Sequence, residues 1–525
     1  MNDTEQTGGD KPGRGKPGRG KPTPLQRNDL AGEAGAINLG STINREPTGE
    51  VLHHLWQEAM TALQSLQSPL GISASGMDDH FHAIFGRDSL WTVLFALEAA
   101  PLLQELERQA RAGQAQGAIN LAPTGIVVPE YMDWLHNLAA TVLRSLARLQ
   151  GTVINDVNEE QPGRIIHEYW IPVPERHTLA GWPLIDGRYY GSFDSAFLYL
   201  VTLSAVDRLF DDAALLDELW PSAQAIVRWM LDWSDLDGDG LVEYKKRNPR
   251  GIGLDNEVWK DSGESIQMPD HRPVKHPVAW IEVQGYAWAA YHAYLALASK
   301  RGDLANGDEA QTGAPGSLFR PAKMPTPDGG RTTDGGRSLQ VEIEQRLDRL
   351  KQGINSFWFK DGNSLFPAMA LDGDKQPVRV VSTNPGHLLW SGCVAQDEAQ
   401  RICERLMQPD MMTPWGLRTL STTAYYYDPL AYHNGTIWPF DNCVVALGLS
   451  RCGFQQEAIR VARSVLQALS AFQRPVELYT VQPSYWVRSH HLAGDWFLAD
   501  YHRSCNVQAW TAAATLYFAA FLLNS

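Results

Sequence analysis

The chain reads as all-α, a ring of paired helices whose connecting loops carry the chemistry. Three observations point that way. Roughly twelve segments place apolar residues at i, i+3, i+4 and i+7, the spacing of a helix with one buried face. Stretches of strand character, such as Val378 to Val381, are few. The loops between helical segments are dense in Gly, Trp, Tyr, His, Asp and Asn, a make-up that suits binding loops held on a scaffold.

In order, the helical segments are 51–67, 88–107, 130–149, 193–209, 213–233, 281–299, 338–356, 385–392, 396–408, 436–451, 455–472 and 506–523. The clearest is 455–472, where Ala458, Val461, Ala462, Val465, Leu466 and Leu469 form one face. Twelve helices make six hairpins, an (α/α)6 toroid. A plain α-solenoid shares the periodicity, but no repeat of fixed length is visible. Two stretches stand apart. Residues 1–30 repeat a Lys-Pro-Gly-Arg-Gly unit and are expected to be a disordered basic tail, because they hold too little apolar surface to fold. Residues 302–337, with Pro315, Pro321, Pro325, Pro327 and a doubled Asp-Gly-Gly-Arg, read as a surface insertion within one catalytic domain spanning 31–525.

Bulk composition narrows the partners. A hydrophobic content of 44% with 20% charged residues is that of a soluble globular protein. A net charge of −15 argues against nucleic acid or an anionic membrane as partner. The five cysteines (Cys393, Cys403, Cys443, Cys452, Cys505) are odd in number and lack metal-ligand spacing, which suits a reducing compartment. The start of the chain has no apolar signal core, and the most apolar stretch, Ala512 to Leu523, is too short to span a bilayer. A cytoplasmic location is expected. The 18 tryptophans often neighbour acids or glycines, as in a sugar-binding cleft.

Chemistry concentrates in Asp255 to Glu264, where Asp255, Glu257, Asp261 and Glu264 flank Trp259. Far downstream, Glu477 stands isolated in Pro475-Val476-Glu477-Leu478-Tyr479. Hydrolysis of a sugar acetal needs one carboxyl held protonated and another ionised on the opposite face. An indole wall raises a neighbouring acid's pKa and stacks on a sugar ring. The pattern is that of a glycosidase, with Asp261, Glu257 and Glu264 as rival acids. Asp235 to Gly240 imitates the start of a calcium loop, but Lys246 stands where a calcium loop needs its twelfth-position Glu, and Glu243 falls at the ninth. A turn is expected there, and no metal or cofactor.

Nine short strings sharpen the reading. They are Phe85-Gly86-Arg87-Asp88, Gly163 to Glu168, Tyr190 to Asp194, Asp237 to Tyr244, Trp259-Lys260-Asp261-Ser262, Ser382 to His387, Trp415 to Leu420, His433 to Asn442 and Pro475 to Leu478. In this order, from about residue 70 to the C-terminus, the chain resembles the amylo-α-1,6-glucosidase part of the glycogen-debranching-enzyme family, on an (α/α)6 barrel like that of glucoamylases. The resemblance implies Asp261 as general acid, Glu477 as general base, and inversion at the anomeric carbon. It implies substrate contacts from Arg87, Asp88, His167, Glu168, Asp194, Trp259, Lys260, Glu264, His433, Trp438, Asp441 and Asn442. Asp88, just ahead of a helical segment, also suits an N-cap. The family's usual extra domains have no room here, so the expected substrate is a trimmed dextrin or small oligosaccharide with an α-1,6 linkage. A disaccharide phosphorylase on the same barrel and a non-catalytic glycan-binding protein are the alternatives.

Overall fold

The computed structural model describes residues 47–114, 127–303, 334–483 and 496–525. The expected tail at 1–30 and most of the expected insertion lie outside them. In chain order the helices are α1 (Gly49–Leu66), α2 (Gly86–Arg111), α3 (Val128–Arg148), α4 (Glu175–Ala180), α5 (Ser195–Phe210), α6 (Ala213–Trp233), α7 (Ile281–Arg301), α8 (Asp334–Ile354), α9 (Gly386–Ser391), α10 (Gln396–Leu406), α11 (Pro439–Arg451), α12 (Gln455–Phe472) and α13 (Ala509–Leu523). All twelve segments read from periodicity are helical. α8 starts at Asp334, so the last residues assigned to the insertion belong to a helix instead.

Burial sorts the helices into two shells. Helices α2, α5, α7, α9, α11 and α13 each pack on the next, and α13 closes back on α2. Outside them α1, α3, α6, α8, α10 and α12 pack on α13, α2, α5, α7, α9 and α11 respectively. This is a six-hairpin (α/α)6 toroid. The sequence explains the sorting. Along α13, all but one residue are buried, as a helix apolar on every side requires. Along α12 the buried set is one stripe that includes all six residues of the face read from sequence. Rings fill the toroid axis: Trp91 meets Trp390 at 4.8 Å, and Phe440 stacks on Trp510 at 4.2 Å.

Helix starts define one rim. Arg87 and Asp88 lie in the first turn of α2, Asp194 is the N-cap of α5, and Glu282 lies in the first turn of α7. His387 follows the first residue of α9, Trp438 caps α11, and Gln508 caps α13. Six helix N-termini at one end give that rim a positive bias, which favours the carboxylates gathered there. A small sheet braces it: Phe85 pairs with Glu168, which pairs with Tyr189. Gly86 makes this approach possible, since a Cβ there would sit 2.3 Å from the Ile166 carbonyl oxygen. The short α4 was not foreseen, because Pro172 and Pro174 ahead of it disguise a helical turn as an extended stretch. No helix of the described residues is long and apolar enough to cross a membrane.

Candidate active site

The rim opens into a cavity of about 830 Å3. Starts of α2, α11 and α13 give it Arg87, Asp88, Trp438, Gln508 and Trp510; the loops give it His167, Glu168, Trp259, Asp261, Tyr432, His433 and Glu477. Both carboxyls singled out by sequence therefore share one chamber.

Asp261 keeps 27% of its side-chain exposure and lies 3.6 Å from Arg87 Nη1. Burial among the cavity walls pushes its carboxyl up to about 7; Arg87 pulls the other way, and Asp88, Asp194 and Glu168 add to the rise. An acid that keeps its proton near neutrality is the donor that acetal cleavage needs. Lys260, which would have lowered Asp261, turns away. Its ammonium is fully buried, donates to the Thr419 carbonyl at 2.8 Å and sits 5.0 Å from the Trp259 ring centroid.

Glu477 is 2% exposed. Its Oε1 accepts from the Tyr432 hydroxyl and its Oε2 from the Cys505 N–H at 3.0 Å. Burial raises it to about 7 against the pull of those two donors, with Asp88 adding to the rise. Each donor favours the ionised form, the form a base requires.

Among the other residues named from sequence, Arg87, Asp88, His167, Glu168, Trp259, His433 and Trp438 line the cavity. Glu168 accepts from the indole N–H of Trp170 at 2.7 Å and from that of Trp182. Burial holds His167 and His433 well below the ordinary imidazole value, so both rings are neutral. Several wall residues keep a buried polar atom without a protein partner: Arg87 Nη2, His167 Nδ1, Trp259 Nε1, His433 Nε2, Gln508 Oε1 and Trp510 Nε1. Unmet hydrogen-bonding capacity of this kind in a native fold is a mark of a ligand or ordered-water site.

Five expected contacts lie elsewhere. Asp194 is fully buried beneath Arg87, which donates to it at 3.0 Å. Lys260 is committed to Thr419. Asp441 accepts from His387 at 2.8 Å. Asn442 bonds the backbone of Leu417 through both amide atoms. All four brace the wall from behind. Glu264 is exposed, because the turn closed by the Ser265 N–H on Ser262 carries it outward. The rival acid Glu257 is buried in an ion pair with Arg164 and lines a separate, smaller cavity.

Sequence reasoning passed over His80, Phe81, Trp170, Arg176, His177, Trp182, Tyr432, Arg503, Gln508 and Trp510, all on the same wall. Two signals were available: Trp170 and Trp182 follow soon after Glu168, and Tyr432 directly precedes the His433 string.

The acidic loop receives a lysine from a distant segment. The Lys375 ammonium lies 3.0 Å from Asp237, 2.8 Å from Asp239 and 2.6 Å from Glu243. Asp235 accepts from the N–H groups of Gly238 and Gly240 at 2.8 and 3.0 Å. A tethered ammonium thus sits among the carboxylates of this turn, where Asp235, Asp237 and Asp239 also hold oxygens within 4.8 Å of one another.

Residues 332–490 match the family described as the mannosylglycerate hydrolase MGH1-like glycoside hydrolase domain, a segment that contains Glu477 but starts beyond Asp261. No curated protein matches the chain in sequence. An uncharacterised conserved protein from Thermus thermophilus is similar in structure over 88% of this chain and 99% of its own, at 14% identity and a TM-score of 0.53. The GH63 mannosylglycerate hydrolase of that organism, in complex with Tris and D-glycerate, covers the same shares at 15% identity and a TM-score of 0.53. Its glucose complex gives 16% identity and 0.52. The solved structures carry the (α/α)6 glycosidase fold, and the family match marks a glycoside hydrolase. They support a glycoside hydrolase on this fold and do not specifically support the debranching enzymes that the short strings resemble.

Proposed function

We propose that this chain is an inverting, exo-acting glycoside hydrolase that cleaves a small α-linked glycoside, with Asp261 as general acid and Glu477 as general base. One observation carries the reading: two carboxyls remote in sequence line one cavity, and both are pushed to about 7 by burial. Asp261 passes its proton to the glycosidic oxygen as the bond to the anomeric carbon breaks. Glu477 takes a proton from a water that attacks that carbon from the opposite face, so the configuration inverts. The scheme asks for carboxyls about 6.5–9.5 Å apart. Arg87 then steadies the carboxylate that Asp261 becomes.

The leaving group is read from the rest of the wall. Arg176 and Arg503 lie on it, two cations that a neutral dextrin does not need. A short acidic aglycone, of the glycerate kind in the Thermus complex, matches them by charge. The α-1,6-glucosidic bond of a trimmed dextrin is the second reading. Trp170 and Trp182 on the same wall favour it, because indoles stack on additional sugar rings. A phosphorylase would leave Glu477 without a task.

Proton NMR of the first sugar released tests the scheme, with α-mannosylglycerate, its glucosyl counterpart, isomaltose and panose as substrates. The β-anomer is expected first, without need of phosphate. An α-anomer as first product overturns the two-carboxylate assignment. Faster turnover of isomaltose and panose would move the leaving group to the dextrin reading.

A further inference from the structure

Glu477 is held at three points. Its own N–H donates to the Cys505 carbonyl at 3.0 Å, its Oε2 accepts from the Cys505 N–H at 3.0 Å, and its Oε1 accepts from the Tyr432 hydroxyl. Two of these are backbone contacts to one residue. The third comes from a different loop, through a side chain that lines the cavity.

Tyr432 is itself fixed. Its carbonyl accepts from Thr436 Oγ1 at 2.6 Å and from the Trp438 indole at 3.1 Å. Its ring meets His433 at 4.7 Å and Trp438 at 4.8 Å, both edge-on. Burial and the neighbouring Glu477 hold the phenol well above its ordinary pKa, so it remains a donor across the working range. The next residue acts on the acid's side of the cavity: His433 Nδ1 lies 2.7 Å from Ser262 Oγ, and Ser262 follows Asp261. One dipeptide thus touches the base directly and the segment of the acid through a serine.

We propose that Tyr432 is the positioning residue of the general base: its hydroxyl sets the rotation of the Glu477 carboxylate toward the reacting water and favours the ionised form. The inference rests on the reading of Glu477 as base. With one donor fixed on each oxygen, the carboxylate plane cannot turn, and the remaining lone pairs are left for water from the cavity. The other groups acting on Glu477 are Asp88 from α2, and Cys505 and Tyr501 from the segment ahead of α13. Asp88 and burial raise the carboxyl, and Tyr432 is the strongest influence against them.

The test is Tyr432→Phe in the full chain, which keeps the ring and removes the hydroxyl. The Glu477 carboxyl, followed by 13C NMR with its signal identified by loss in Glu477→Gln, should titrate about one unit higher, with kcat at pH 6 down about tenfold and KM within about twofold. The Asp261 carboxyl, identified by loss in Asp261→Asn, should titrate where it did, a split that a general structural loss does not produce. A 3,5-difluorotyrosine at position 432, a stronger donor of unchanged shape, should move the Glu477 titration down. An unmoved Glu477 titration in both variants overturns the inference. The underlying reading fails separately: Glu477→Gln that still turns over removes the base assignment, whatever Tyr432 does.

Discussion

Asp261 and Glu477 reach similar proton affinities by different routes, and the difference can be measured. Asp261 is raised by burial and by three neighbouring carboxyls against a single guanidinium; Glu477 is raised by burial and by Asp88 against two hydrogen-bond donors. Only the acid's work depends on the leaving group. Asp261→Asn should therefore lower kcat by about 10^3 or more on a poor alcohol leaving group, yet lose little on the glycosyl fluoride, which departs without a proton. Glu477→Gln should lose on both. Steady-state rates on the two substrate types decide it, and equal losses for Asp261→Asn would strip that residue of its role. Side-chain direction is what the sequence hid here. Trp438, Asp441 and Asn442 lie within five positions of one another, yet Trp438 faces the cavity while the other two bond His387 and Leu417 behind it. Residue type announced polar chemistry at each. Which side of the first helical turn each would face depended on neighbours brought by other hairpins.

The helices themselves were legible because an outer helix must advertise one apolar stripe. Inner helices were legible for a second reason, since α5 and α13 are apolar on nearly every side. The rest was hidden where proline or a distant partner decides the backbone. Pro439 stands at the first turn of α11 and starts it later than periodicity suggested, and α4 lies in a proline-flanked loop. The turn from Asp235 to Glu243 is the best case of a distant decision. Nothing nearby in sequence says that Lys375 will supply its cation, and a calcium loop was the natural comparison. Removing that ammonium leaves the buried Glu243 carboxylate uncompensated beside Asp237 and Asp239. Lys375→Met should cost about 2–4 kcal/mol in urea unfolding, discounted for the partial exposure of the lysine. Adding Glu243→Gln to it should recover a large part of the loss, as coupled neighbours do. Additive losses in the double variant would mean that the lysine and glutamate do not act as a pair.

Six helix N-termini meeting at one rim let the molecule bury acids that most cores exclude, and the whole fold carries the cost as a pH dependence. Helix dipoles offset part of the charge of Asp88, Asp194, Glu282 and Asp441. The remainder is relieved by retained protons: burial pushes Glu282 to about 8, and Asp88, Asp261 and Glu477 to about 7. A carboxyl raised on folding makes the folded state the tighter proton binder. Its stabilisation is complete below the unfolded value of about 4 and is lost as pH climbs to the folded value. Buried His167 and His433, pulled well below their ordinary value, act in the opposite sense, costing stability as pH falls below about 6.5. The two effects oppose each other on the acid side, and between about pH 6.5 and pH 8 the carboxyl effect dominates. Lys260, lowered to about 8, opposes it only in the upper part of that window. The midpoint of thermal unfolding should therefore fall from pH 6.5 to pH 8, and Glu282→Gln, which removes the most strongly raised of these carboxyls, should flatten the slope. A midpoint that rises over the same interval would mean that the rim's acids ionise freely in the fold, and Asp261 would then lack the retained proton on which the proposed chemistry depends.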